Sequence, residues 1–357
     1  MMSFLNNELF PALLGAVFGL LLSIIFDEPL RDVKRNIKRR FRRLFKVKND
    51  FNSHLFTIGD KETDFYIIDG DGEATFDYGS IETNITQKQV ELPGDIQGIK
   101  DDISREENKK REENLPFSWN GSLYGLTRYR MGRDEETEEP TVVFTFHQTD
   151  YYTFLATNAN LNKTLPSGKT IKEKYVPFDN LDNVVPFLAN GFGIVLVLIT
   201  SDEHIILTKR SSMSGARANE YDVSVVEGIH PKLDQGSSQG GLCFFSVASR
   251  GAKEELNIEI DKHDIHFLGY GVDTKYYQWN MIGYAYIDET AKQVRTRRSQ
   301  GAPDKWEAKQ IVFEVFSEKN MANIIKNKPM WSTAQIALYW TARKELSRRK
   351  LERLIEK

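Results

Sequence analysis

At 357 residues the chain is too long for one average domain, and its 40% hydrophobic and 28% charged content excludes a mainly disordered chain, a collagen or a polytopic membrane protein. A single cysteine excludes an intramolecular disulfide framework and a thiolate-only zinc site, and six histidines without an HExxH motif give no structural zinc pattern. The net charge of −3 gives no sign of general nucleic-acid binding, yet it averages two unlike parts: residues 1–48 hold ten Lys/Arg against four acids, a net +6, leaving −9 for the other 309 (357 minus 48).

The positive charge directly follows the most apolar stretch. Leu9 to Phe26 reads LFPALLGAVFGLLLSIIF, uncharged and with Ser23 as its one hydroxyl. As a helix rising about 1.5 Å per residue it spans about 27 Å, enough for a thin hydrocarbon core. A cleaved signal peptide needs basic residues before the run and small residues after it; here Glu8 precedes it and Asp27-Glu28-Pro29 follows. The pattern predicts a retained transmembrane anchor within residues 1–28. The positive-inside rule then predicts a single-pass protein of the bacterial inner membrane, N-terminus outside and residues 31 onward in the cytoplasm.

Residues 29–50 read PLRDVKRNIKRRFRRLFKVKND. Asp27 or Glu28 caps a helix with Pro29 near its first turn, and Leu30, Val33, Ile37, Phe41, Leu44 and Phe45 form one apolar stripe among ten basic residues. Such a basic amphipathic helix lies on an anionic leaflet, each cation near the surface contributing about 1 kcal/mol. It equally suits packing against copies of itself, so membrane lipids and a homo-oligomer are its expected partners.

Residues 51–116 alternate short apolar runs, such as Phe65-Tyr66-Ile67-Ile68, with turn signals such as Asp69-Gly70-Asp71-Gly72, which predicts a small β-rich region. Asp69, Asp71 and Glu73 lack the twelfth-position glutamate of a calcium loop and read as a hairpin turn. Residues 100–113, KDDISREENKKREE, interleave both signs and predict a solvated helix or linker that closes this region. From residue 117 strands are expected at Thr141–Phe146, Gly193–Thr200, His204–Lys209, Tyr221–Val226, His266–Val272, Trp279–Ile287 and Ile311–Phe316. A helix is expected over 243–256, and Ser332 caps a last one. Strands on both sides of the central helix predict an α/β/α sandwich with a mixed sheet over residues 117–357.

Residues 236–258, spanning that helix, read GSSQGGLCFFSVASRGAKEELNI. This resembles the Nudix signature G-x5-E-x7-R-E-U-x-E-E-x-G-U, with U apolar. Gly236, Arg250, Ala252, Glu254, Glu255 and Ile258 match without a gap, while Leu242, Gly251 and Asn257 stand where the signature has Glu, Glu and Gly. A strand leading to Lys209-Arg210-Ser211, another ending in Glu227-Gly228, and Asp304-Lys305-Trp306-Glu307 ahead of a terminal helix extend the likeness over residues 185–357. The resemblance implies a Nudix-like α/β/α sandwich.

Hydrolysis of a pyrophosphate needs a divalent cation that neutralises phosphate oxygens and lowers the pKa of attacking water. Mg2+ takes a few carboxylates and keeps several waters. Glu254 and Glu255 are the candidate catalytic pair and, with Glu307 or Asp304, the candidate Mg2+ ligands. Gly251 and Leu242 remove two acids, so the site reads as depleted, and Arg250 suits an ion pair as well as a ligand contact. Phosphates want cations and bases want aromatic faces. Arg210, Arg217 and Tyr277 are therefore nucleotide-binding candidates, as are Arg297 and Arg298 in the stretch TRRSQGAPDKWE, expected to be a mobile lid loop.

An apolar anchor, a polybasic segment and a Nudix-like domain in this order resemble the membrane-anchored Nudix effectors of cyclic-nucleotide anti-phage systems, among the CD-NTase-associated proteins of CBASS. The resemblance implies a cyclic-nucleotide second messenger as ligand and host-cell death or arrest as output, by membrane disruption. Two other readings stay open: a membrane-tethered, metal-dependent Nudix pyrophosphohydrolase of a nucleotide derivative, and an inner-membrane adaptor.

Overall fold

The computed structural model describes residues 55–210, 217, 219–234, 241–301 and 308–356. The expected anchor and basic amphipathic helix, Gly236, Asp304 and Glu307 lie outside these residues. His54–Lys357 forms one compact unit. Among the described residues no helix is long and apolar enough to cross a membrane.

The first elements are β1 (Thr57–Ile58), β2 (Lys61–Glu62), β3 (Phe65–Gly70), β4 (Ile81–Thr86) and α1 (Gly94–Glu112). Two long strands come next, β5 (Ser122–Arg133) and β6 (Pro140–Asp150), then α2 (Tyr151–Ala156) and α3 (Ile171–Tyr175). After them come β7 (Gly193–Thr200), β8 (His204–Arg210), β9 (Tyr221–Asp222), β10 (Val225–Gly228) and α4 (Phe244–Leu256). The chain continues through β11 (Ile265–Asp273), β12 (Gln278–Ile287), α5 (Ala291–Gly301) and β13 (Ala308–Val315) to α6 (Glu318–Asn327), α7 (Ser332–Glu345) and α8 (Arg348–Glu356).

The main sheet runs β13-β8-β7-β12-β11-β3. It is mixed: β7 and β12 are parallel, and the other neighbours are antiparallel. β7 is a continuous apolar run because both its faces are covered. Ile194, Leu196 and Leu198 join the core that includes α4, while Val195, Val197 and Ile199 join the one that includes α7. With α4 against β10 and β7, and α7 against β12, β7 and β11, the unit is an α/β/α sandwich.

β7 and β8 pair in register at Ile199 and Ile205 and then part. The chain from Tyr221 to Gly228 enters between them, β9 pairing with β8 and β10 with β7. Ser224 sits where they part: its hydroxyl accepts from Leu198 N–H at 2.8 Å and donates to Ile206 O at 2.7 Å. It thus satisfies two buried backbone groups that the hairpin no longer pairs. The same wedge brings Glu227 and Gly228 beside Ile194 and Gly193, at the start of β7.

A second sheet, β4-β6-β5, has β4 parallel and β5 antiparallel to β6, with a bulge between Leu126 and Arg128. Phe144 and Phe146 of β6 pack on Phe192 and on Phe244 of α4, the Phe144 and Phe244 ring centroids lying 5.3 Å apart. Residues before 117 share these sheets with residues after it, since β3 is the edge strand beside β11 and β4 lies beside β6. The charged stretch 100–113 falls within and just beyond α1, which buries Ile96, Ile99 and Glu107. The Glu107 carboxylate accepts from Lys110 and from the Ser118 N–H.

Candidate functional site

α4 recurs at helical spacing in Phe244, Val247, Ala248, Ala252 and Leu256, which are buried and press the helix onto the sheet. It ends on Asn257 in the left-handed conformation, φ 57° and ψ 41°. Glycine is the usual residue for that cap and asparagine also adopts it. Asn257 therefore supplies the backbone shape that the glycine of the signature implies, and its Nδ2 donates to Arg297 O at 3.1 Å.

Gly251 is more than an absent carboxylate. A Cβ at this position would lie 2.5 Å from Val225 Cγ1 and 2.9 Å from Glu227 Cβ. Position 251 thus faces β10 and lets helix and strand approach; a glutamate side chain would start inside that contact.

One turn of α4 presents Arg250 to a ring of acceptors. Nε and Nη2 donate to the two oxygens of Asp234 at 2.8 Å, and Nη2 also donates to Gly228 O at 2.8 Å. Nη1 meets Glu254 Oε2 at 2.8 Å and Glu227 Oε1 at 3.0 Å. Of the five N–H donors of a guanidinium, four are thus hydrogen-bonded, and Glu227 completes the ring as an ion pair. Burial lowers the Arg250 pKa, but the bonds to Asp234 and the charges of Glu227, Asp234 and Glu254 more than reverse that and hold it above its ordinary value. Burial also pushes Glu227 up to about 7, with Arg250 opposing the rise and Glu254 adding to it.

The adjacent glutamates face different partners. Glu254 pairs with Arg250, while Glu255 Oε1 accepts from the Val226 N–H of β10 at 3.2 Å. Among the described residues no group of three His, Cys, Asp or Glu side chains is arranged to hold a metal ion. Glu254 and Glu255 each spend one oxygen, on the Arg250 guanidinium and on the Val226 N–H, and no third such group among the described residues joins them. Glu307 falls outside the described residues.

The nucleotide-binding candidates separate. Tyr277 is wholly buried, with φ 50°; its hydroxyl accepts from Val185 N–H at 3.0 Å and donates to Asn183 O at 3.3 Å. It is a core residue, not a stacking face, because the phenol ties the segment before β7 to the start of β12. Arg217 Nη1 lies 2.9 Å from both oxygens of buried Asp222, and its guanidinium is 4.2 Å from the centre of the Trp331 ring. Arg210 is 3.8 Å from the same carboxylate, which burial holds above its usual range against the opposing arginines. Trp331 Nε1 donates at 2.7 Å to Asp273, whose carboxyl burial pushes up to about 6. Arg297 and Arg298 lie on α5, a helix where a lid loop is expected from the sequence. Arg297 pairs with Glu289 at 2.9 Å, and Arg298 Nε donates to Glu255 O at 3.2 Å.

The structure thus joins Arg210 with Arg217 at the Asp222 carboxylate, and Arg298 with the peptide carbonyl of Glu255. Asp234, Asp222 and Trp331 carry these arrangements without a sequence signal for it. Asp234 reaches Arg250 across 16 residues, and no short motif links them.

No protein-family model matches the chain, and no curated protein does. Among solved structures the chain is similar to the NUDIX domain of Shewanella oneidensis NrtR complexed with ADP ribose, at 11% identity over 47% of this chain and 97% of that one, TM-score 0.31. It is similar to the MutT protein of Methanosarcina mazei at 11% identity over 43% of this chain and 95% of that one, TM-score 0.28. It is also similar to a Francisella tularensis bifunctional NMN adenylyltransferase/ADP ribose pyrophosphatase complexed with AMP and Mn ion, at 13% identity over 43% of this chain and 42% of that one, TM-score 0.28.

Proposed function

We propose that the α/β/α unit is a Nudix-like domain that binds a nucleotide derivative as a signal. The observation that carries this reading is Arg250. The helix keeps the signature's arginine and a left-handed cap and has a close contact at Gly251 in place of its glutamate, while Arg250 gathers Glu227, Asp234 and Glu254. Carboxylates whose charge is balanced by a guanidinium attract a divalent cation less strongly. Asp234 and Glu254 against one guanidinium, with Glu227 only partly ionised near neutral pH, also leave this spot acidic, so ligand phosphates are held by cations outside it. Arg210, Arg297 and Arg298 are the candidates.

The wider proposal is a membrane-anchored effector of a cyclic-nucleotide anti-phage system. Residues 1–28 anchor it, residues 29–50 lie on the anionic inner leaflet or assemble copies, and binding of the second messenger turns on membrane disruption. Its support is the order of segments in the sequence. A pyrophosphohydrolase reading keeps one observation in its favour: Glu227 titrates at about 7, where a general base works well.

Nucleotide binding and product formation, measured on the full chain against a panel of cyclic and linear nucleotides, separate these readings. The expected result is binding without cleavage, retained with host toxicity in the Glu254→Gln, Glu255→Gln double variant. Turnover that disappears in that variant together with toxicity would establish the hydrolase instead. A folded chain that binds no nucleotide would leave the adaptor.

A further inference from the structure

The β4-β6-β5 sheet carries two adjoining cavities of about 570 and 630 Å³, with Gln89, Val90 and Glu91 as a shared wall. Both lie within the roughly 300–1,000 Å³ usual for small-molecule sites. Neither includes a residue of α4 or its arginine ring.

The first cavity is polar, with one self-balanced ion pair inside it and exposed Glu91 on the wall it shares. Lys100 and Asp150 line it and pair with each other at 2.5 Å, and Asp150 also caps α2 by accepting from Thr153 N–H at 2.9 Å. Its other polar side chains include Gln97, Gln148, His147 and Asn190. His147 is 2% exposed, and burial pushes its imidazole down to about 4, so it is neutral at physiological pH. Gly125 makes room for it, since a Cβ there would lie 2.5 Å from His147 Cε1. Asn190 is 1% exposed; its Nδ2 donates to Phe187 O at 2.8 Å and Thr157 Oγ1 at 3.1 Å. Its Oδ1 is buried with no hydrogen-bond partner. A buried acceptor left unmet costs about 1–3 kcal/mol, which a bound donor recovers.

The second cavity has a different character. Lys88 and Arg128 line it with Thr86, Thr127 and Thr145. Among the described residues neither cation has a carboxylate within ion-pair distance, and Arg128 Nε reaches Thr145 Oγ1 at 3.5 Å. Thr127 belongs to both chemistries, because its hydroxyl is 3.0 Å from His147 Nδ1. Glu91 on the shared wall is solvent-exposed, and its charge is screened accordingly.

We propose that this face is a second binding site, for a phosphorylated small molecule: the phosphate against Lys88 and Arg128, the hydrogen-bonding ring or sugar in the cavity of His147 and Asn190. Cations without carboxylate partners beside hydroxyl donors suit an anion. A cavity rich in amides, with its lysine and aspartate paired to each other and one unmet acceptor, suits a donor-bearing neutral group. The two together select a molecule that carries both.

Calorimetric titration of the full chain in mild detergent with AMP, ribose 5-phosphate and inorganic phosphate tests this. At least one organic phosphate should bind more tightly than inorganic phosphate. Arg128→Ala and Lys88→Ala are at exposed positions and should each weaken it about tenfold, the loss of one charge-assisted bond. Gln148→Ala should weaken the organic phosphate more than inorganic phosphate. AMP preferred over ribose 5-phosphate assigns the cavity to a base, and equal affinity assigns it to a sugar. Failure of both organic phosphates to bind at millimolar concentration would overturn the proposal. So would binding that Arg128→Ala and Lys88→Ala leave intact, or that Arg210→Ala abolishes in their place.

Discussion

Glu227 feels the cost of gathering charge around Arg250. Its ordinary pKa of 4.5 rises to about 7 in the folded chain, chiefly through burial. Below 4.5 the acid is protonated folded or unfolded and contributes nothing. Between 4.5 and 7 the unfolded chain releases the proton and the folded one keeps it, so stability falls as pH rises. Each unit corresponds to about 1.4 kcal/mol, so the fall approaches roughly 3 kcal/mol and levels off above 7. Glu227→Gln removes the titration, and urea midpoints of the variant should decline less than those of the parent between pH 5 and 7. Parallel profiles for the two proteins would show that Glu227 is not held protonated. Gly251 tests the same corner sterically. Gly251→Ala gains up to about 1 kcal/mol of helix propensity, but its methyl would sit 2.5 Å from Val225 Cγ1. Overpacking typically costs about 1–3 kcal/mol, so the urea midpoint should fall. Gly251→Glu should fall further and gain no turnover, because the added carboxylate starts against β10. A stable Gly251→Glu protein with new hydrolysis would reverse this.

Among elements, the wedge between β7 and β8 depends on Ser224. Ser224→Ala leaves the Leu198 N–H and the Ile206 carbonyl unmet where the strands part. Each buried orphan costs about 1–3 kcal/mol, so a loss of at least about 2 kcal/mol in denaturant unfolding is expected, and an unchanged midpoint would show that another group fills the gap. The hairpin that this wedge opens was legible in the sequence: β7 is apolar at every step because both faces are covered, and α4 shows its buried face at helical spacing. The wedge itself was not, since Ser224 reads as an ordinary strand serine until its partners are placed. α5 was obscured by Gly301 and Pro303, which belong to its last residue and the stretch beyond it rather than to its interior. β3 was the hardest kind of element to place, because its partner β11 lies about 200 residues away and no local pattern encodes a pairing at that distance. Asn257 shows the converse: a departure from the family pattern at the level of residue type vanishes at the level of backbone conformation.

For the whole molecule, the charge difference between the first 48 residues, net +6, and the rest, net −9, sets the last test. If Leu9 to Phe26 anchors the chain, the apolar effect and not charge holds it in the membrane, and salt should not extract it. If the basic run alone binds lipid, screening weakens each contact, since the Debye length falls to about 3 Å at 1 M salt. Full-length protein should therefore stay with membranes at 1 M salt, while a chain beginning at His54, which keeps the compact unit whole, should be soluble and still bind ligand. Reversing Arg39, Arg40, Arg42 and Arg43 to glutamate changes the local charge by −8, four swaps of −2 each. That replaces attractions of about 1 kcal/mol each with repulsions at an anionic leaflet. It should disturb topology or toxicity while the His54–Lys357 unit keeps its unfolding midpoint. Membrane fractionation, protease accessibility and host viability read the three outcomes separately. Undiminished killing by the chain that begins at His54 would refute the membrane-effector reading, because the output would then need neither the anchor nor the basic helix.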